Sequence, residues 1–187
     1  MAQSFAAFCP YADGEKVDQA LDTALACLWD RERHLIRLYD PPFGPDDRAP
    51  GYVSSYGPGF RENGGQYTHA AVWLARACFR RGRWADGAAL LEDIVLAARS
   101  EDYGAEPYVL AADVYTAPGQ EGRAGWSWYT GAAGWWYRTA WQDMLGFSVD
   151  RGRPAFAPPA GIAEQGWRME FRPGHGPSAV FPPKDEN

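Results

Sequence analysis

Tyr67-Thr68-His69-Ala70-Ala71-Val72-Trp73-Leu74-Ala75-Arg76-Ala77-Cys78-Phe79-Arg80-Arg81, then Gly82, then a second apolar run from about Ala85 to Ala98, is the stretch that decides the fold. Ala71, Leu74, Ala75 and Cys78 recur at three- and four-residue intervals, which puts them on one face of an α-helix. Gly82 follows the last periodic residue, where a left-handed residue closes a helix without a Cβ clash. A second helix directly beyond it makes an antiparallel helical hairpin. The pair has no second copy in the chain, which argues against a helical solenoid.

Upstream, Val17, Ala20, Leu21, Ala24, Leu25, Leu28 and Trp29 form one stripe, and Asp13 is placed to cap it, so the spacing predicts a helix over residues 16–30. Residues 40–59 are dense in Pro and Gly and predict a long irregular connection. Downstream, a further helix is expected from about Thr130 to Leu145, ending at Gly146. The architecture to this point is expected to be all-α. Beyond it, Phe147-Ser148-Val149, Ala155-Phe156-Ala157 and the alternating Trp167 to Arg172 have strand character. The chain thus divides into a helical part, 1–146, a strand-bearing part, 147–175, and an end expected to lack order, 176–187.

A length of 187 residues suits one compact unit with a tail. Aromatic residues make up 15%, with nine Trp, more than core filling needs, and rings of this kind serve as ligand platforms. The net charge of −6 argues against a nucleic-acid partner, whose binders carry a concentrated basic surface. The basic clusters at Arg31 to Arg33 and Arg80 to Arg83 read as solvated surface. Cys9, Cys27 and Cys78 are too scattered for a disulfide framework or a zinc site, and Cys27 and Cys78 fall within helical patterns as buried thiols. With no apolar run of membrane-spanning length and no leader pattern, a reducing cytoplasm is the expected location.

Two segments carry chemistry: Arg61-Glu62-Asn63-Gly64-Gly65-Gln66-Tyr67-Thr68-His69 and Gly125-Trp126-Ser127-Trp128-Tyr129-Thr130-Gly131. His69 falls on the first turn of its helix, where it reads either as a packing residue or as a ring nitrogen offered to an anion or a sugar hydroxyl. Gly64 and Gly65 either bring the backbone close to a ligand or permit a positive φ. Ser127 or Thr130 caps the next helix, or Thr130 and the amide of Gly131 meet an anion at its start. Glu62 and Glu106 are the two acids that a glycosidic hydrolysis would require.

The order and spacing of Asp30-Arg31-Glu32, Pro41-Pro42-Phe43, Pro58 to Ala70, Glu106-Pro107-Tyr108-Val109, Ala111 to Tyr115 and Trp126 to Gly131 resemble the C-terminal portion of glycoside hydrolase family 94. That family holds cellobiose, chitobiose and β-1,2-oligoglucan phosphorylases and the C-terminal region of cyclic β-1,2-glucan synthases. The Trp-Tyr-Thr-Gly form is closer to the β-1,2-glucan branch. The resemblance implies a mainly α fold, part of an (α/α)₆ barrel followed by a short β tail. It implies that His69, Thr130 and Gly131 contact phosphate, and that Arg61, Glu62, Asn63, Gln66, Glu106, Tyr108 and Trp128 face the sugar. Phosphate would be the co-substrate and a β-glucan oligosaccharide the partner, with no metal or organic cofactor. The family's general acid lies on a segment without a counterpart in this sequence. Since a positioned acid supplies ~10²–10⁴ in rate, the resemblance implies a chain inactive in isolation, completed by an upstream chain or by oligomerisation, or else a binding or assembly module.

Overall fold

The computed structural model describes residues 1–45, 47–48, 51–106, 108–159, 169–172, 174 and 179–181. The chain falls into two compact units, Met1–Tyr137 and Arg138–Asn187. The division lies inside the helix Gly131–Thr139.

The first unit is mainly helical. Helix α1 (Gly14–Leu28) starts where Asp13 accepts the amides of Glu15 and Lys16, and it buries Val17, Leu21, Ala24 and Leu28. Cys27 falls beside this stripe and is exposed, contrary to its expected burial, whereas Cys78 is buried. Burial pushes the Cys78 thiol up to about 12, so it stays protonated and inert. Helices α2 (Thr68–Arg80) and α3 (Trp84–Ala97) form the expected hairpin. Its joint is a Schellman motif: Gly82 has φ +71°, its amide donates to the Phe79 carbonyl (3.0 Å) and the Arg83 amide donates to the Cys78 carbonyl (2.8 Å). Leu74, Leu90, Leu91 and Ile94 make the buried seam of the pair.

Small sheets interrupt the all-α expectation. Strands β1 (Trp29–Asp30) and β2 (Leu35–Ile36) pair as an antiparallel hairpin after α1. Asp93 of α3 accepts the Trp29 indole N–H (2.6 Å) and bonds the His34 ring (2.7 Å), which ties that hairpin to the helix pair. Strands β3 (Gln66–Tyr67) and β4 (Asp113–Val114) pair with Tyr67 opposite Asp113. Segment 124–126 runs along the other edge of β4: the Gly125 amide donates to the Asp113 carbonyl (2.9 Å), and the Ala112 amide donates to the Trp126 carbonyl (2.7 Å). Under these pieces Leu35, Ala97, Tyr103, Ala111 and Val114 form one apolar cluster. Pairs of two residues carry no periodicity of their own, which is why the sequence does not announce them.

The long connection is held by one side chain. Asn63 Oδ1 accepts the Tyr39 hydroxyl (3.1 Å) and the Phe43 amide (2.8 Å), while Nδ2 donates to the carbonyls of Phe43 (3.0 Å) and Tyr56 (2.8 Å). Gly64 beside it has φ +84°, and a Cβ there would come within 2.8 Å of Pro42, so this glycine serves the turn. Asn63→Ala removes four bonds and leaves half-buried partner groups without them. A loss of about 3 kcal/mol in unfolding free energy is expected by denaturant titration, since each such bond contributes about 1 kcal/mol.

Helix α4 (Gly131–Thr139) runs directly into a π-helical turn, Ala140–Met144. In the second unit, β5 (Phe147–Asp150) and β6 (Arg153–Phe156) form a hairpin. Its two turn residues, Arg151 and Gly152, have φ +47° and +78°, as a two-residue hairpin turn with matching twist requires. Phe147 packs between Trp141 (5.4 Å between centroids) and Phe171 (5.1 Å). Strand β7 (Met169–Phe171) pairs with β8 (Ala179–Phe181). Those last three residues lie in the end expected to lack order; an Ala-Val-Phe run suits a strand once a partner edge is available. Trp167 and Arg168, and the rest of 176–187, lie outside the described residues.

Candidate functional site

The segments singled out in the sequence converge on the face built by the Gly59–Gly65 loop, β3, β4, the first turn of α2 and residues 124–131. Three adjoining groupings occupy it.

The first is His69 with the start of α4. A Cβ built on Gly131 would overlap His69 Nε2 and lie 2.8 Å from Cε1, so the imidazole rests directly on the Gly131 backbone. The ring is stacked on Tyr67 (5.8 Å, 25°) and flanked by Trp73 (6.0 Å). Its Nδ1 is buried without a hydrogen-bond partner. Burial holds the imidazole below its ordinary range, so the ring is neutral near pH 7. Thr130 is exposed beside it. The Gly134 amide donates to the Thr130 carbonyl (2.9 Å), which leaves the earlier amides of the helix without that kind of partner. A neutral imidazole, a hydroxyl and helix-start amides thus lie side by side, all groups able to donate a hydrogen bond.

The second grouping is charged and largely buried. Arg61 has φ +47°, a conformation that costs energy for a residue with a Cβ and that clusters at functional sites. Its Nε lies 3.5 Å from Glu62 Oε2. Its guanidinium lies 4.2 Å over the Trp126 ring and 5.3 Å from that of Tyr56. Tyr67 links this grouping to His69: burial first, then the Glu62 carboxylate, pushes its phenol up.

The third is an exposed aromatic patch. The Trp128 indole N–H donates to Glu106 Oε1 (2.7 Å), and its ring meets Tyr108 edge-on at 5.9 Å. Trp128 also has a positive φ, +64°. Tyr108 and Trp128 are 75% and 62% exposed and Trp126 is 50% exposed, an apolar surface of the kind on which sugar rings stack. The backbone amide of Glu106 and the Trp128 indole hold the Glu106 carboxyl below its ordinary value. A general acid requires the opposite shift, which argues against Glu106 in that role.

Two residues expected at the sugar are turned inward. Asn63 is 1% exposed and spends both amide atoms on the loop. Gln66 is equally buried, and its Oε1 accepts the Ile36 amide (2.8 Å), joining β2 to β3. Both belong to the framework, because an amide side chain can satisfy backbone groups where no ladder runs. Trp126, Tyr67 and Asp113 belong to the face instead, and the sequence signal for them is Gly125, whose missing Cβ admits the Asp113 carboxyl. Among the described residues no cluster of three His, Cys, Asp or Glu could hold a metal, and no helix is long and apolar enough to cross a membrane.

The structure is thus a mainly helical domain in which His69 and the Thr130–Gly131 turn adjoin an exposed aromatic patch. The chain belongs to the glycosyl hydrolase 94 superfamily: residues 1–146 match its catalytic domain. It is 41% identical over 152 residues to the cyclic β-(1,2)-glucan synthase NdvB of Rhizobium meliloti (strain 1021), covering 78% of this chain and 5% of that protein. It is 30% identical over 160 residues to solabiose phosphorylase of Paenibacillus borealis, covering 78% of this chain and 19% of that one. The chain therefore spans only a small part of the length of these relatives.

Proposed function

We propose that this chain forms the phosphate- and sugar-contacting wall of a glycoside phosphorylase-type site, with helices α1–α4 as part of an (α/α)₆ barrel. Phosphate sits against His69, Thr130 and Gly131, and the sugar lies over Arg61, Glu62, Glu106, Tyr108 and Trp128. In the reaction a phosphate oxygen bonds to the anomeric carbon as the glycosidic C–O bond breaks, with inversion. The departing oxygen takes a proton from a general acid, giving a sugar 1-phosphate. Relatives that include a β-(1,2)-glucan synthase favour a β-1,2-glucan as the sugar. The observation that carries this reading is the seating of the His69 imidazole on Gly131.

The acid is not among the residues of this site, so binding is expected without turnover. Calorimetry with inorganic phosphate tests the assignment: Thr130→Ala is expected to bind about tenfold more weakly than the parent chain, the equivalent of one hydrogen bond to a charged group. Equal binding by both would remove Thr130 from the anion site. A second reading, a non-catalytic carbohydrate-binding or assembly module, is favoured by the exposed Trp126, Trp128 and Tyr108. It predicts oligosaccharide binding indifferent to phosphate.

A further inference from the structure

Asp113 occupies the middle of three strand segments and is 1% exposed. Its Oδ1 accepts the Trp126 amide (3.1 Å). Its Oδ2 is buried with no hydrogen-bond partner among the described residues. A Cβ on Gly125 would strike the carboxyl at both oxygens and at Cγ, so the group lies directly against the Gly125 backbone. A buried carboxyl oxygen left in this state costs stability and calls for a functional reason.

The reason lies one residue further on. The ring of Trp126, whose amide Asp113 holds, carries the Arg61 guanidinium at 4.2 Å. Arg61 Nε and Nη1 are themselves buried without hydrogen-bond partners, so stacking and charge decide where the guanidinium stands. Four titratable groups surround Asp113: Arg61 and Glu62 from the loop, Tyr67 from β3 and Tyr103 from the turn Glu101–Tyr103. Arg61 is the only cation among them.

We infer that Asp113 is a positioning residue: its carboxyl fixes the Trp126 backbone and, through the Trp126 ring and its own charge, sets the place of the Arg61 guanidinium. That Arg61 then meets a sugar rests on the proposed function. Burial pushes the Asp113 carboxyl up, opposed by the Trp126 amide and Arg61. Its charge is therefore lost at a pH at which surface aspartates keep theirs. Ionised, it draws on both the amide and the guanidinium; protonated, it leaves the guanidinium to Glu62 and the Trp126 ring alone, and its place shifts.

The test follows the Trp126 backbone amide and the Arg61 Nε–H by nuclear magnetic resonance in the full chain as a function of pH. Both resonances are expected to move with one shared midpoint above the ordinary aspartate value. Asp113→Asn, which keeps the oxygen that accepts the amide, is expected to abolish that step without displacing Trp126. Asp113→Ala is expected to displace both resonances at every pH and to weaken binding of a β-1,2-glucooligosaccharide at least tenfold. Should the alanine variant fail to fold, the asparagine variant carries the test. Resonances that ignore pH, or a step that survives Asp113→Asn, overturn the assignment whether or not sugar binds. A shared step in a parent chain that takes up no oligosaccharide upholds the positioning of Arg61 and removes the sugar reading instead.

Discussion

Gly131→Ala is expected to lower the affinity for inorganic phosphate or sulfate by about 10–100-fold while leaving the chain folded. The added Cβ falls on His69 Nε2. The ring has little room to yield, being stacked on Tyr67 and flanked by Trp73. An incoming anion thus loses the imidazole and finds a methyl group in its place. A hydrogen bond to a charged group contributes about 1.5–3 kcal/mol, which is the stated factor. The methyl also costs stability, about 1–3 kcal/mol for forcing it into a packed site, offset in part by the ~1 kcal/mol by which alanine favours a helix over glycine. The net loss of stability is small beside that of unfolding, so denaturant titration without anion separates lost affinity from lost structure.

The pH profile supplies a second signature of the same contact. Burial holds His69 below the ordinary imidazole value of 6.5 in the free chain, and a bound anion favours the imidazolium. Linkage then fixes the sign: affinity rises as pH falls through the imidazole's value in the complex, and levels off once the free chain's own His69 is protonated. Sulfate is the cleaner probe, because it does not titrate in this range. Calorimetry should give a sloping profile for the parent chain and a flat one for Gly131→Ala.

His69 and Gly131 also mark how far the sequence could be read. Helical periodicity and the Gly82 stop define the α2/α3 hairpin because both are local signals. Nothing local pairs His69 with Gly131; family resemblance groups them, and the fold brings the ring onto the backbone. Asn63 and Gln66 show the converse: the sequence does not tell that their side chains turn inward. A polar side chain beside glycines has the composition of a ligand contact, but its direction is set by what the loop needs, and here the unpaired amides of Phe43 and Ile36 claim it. Asp113 is legible only as an acid in a motif. Its burial follows from the short strand pairing that puts it opposite Tyr67, and from the glycine that lets segment 124–126 close over it.

That closure leads to a second large effect, one on stability. Gly125→Ala is expected to cost about 2–3 kcal/mol, the range for forcing a methyl into a packed site. Gly125 does not use the left-handed region, so an alanine backbone fits and the whole penalty is the collision with the Asp113 carboxyl. In an Asp113→Ala background that collision is removed, and the same Gly125→Ala change should cost under about 1 kcal/mol. Asp113→Ala alone strands the Trp126 amide but also removes an unpartnered buried oxygen, so its own effect is the smaller of the two single changes. Denaturant unfolding of the four chains measures a coupling of about 2 kcal/mol if the carboxyl is locked in place. Additive effects would mean that it swings aside at little cost, and a carboxyl free to swing could not hold the Trp126 backbone or govern the position of Arg61.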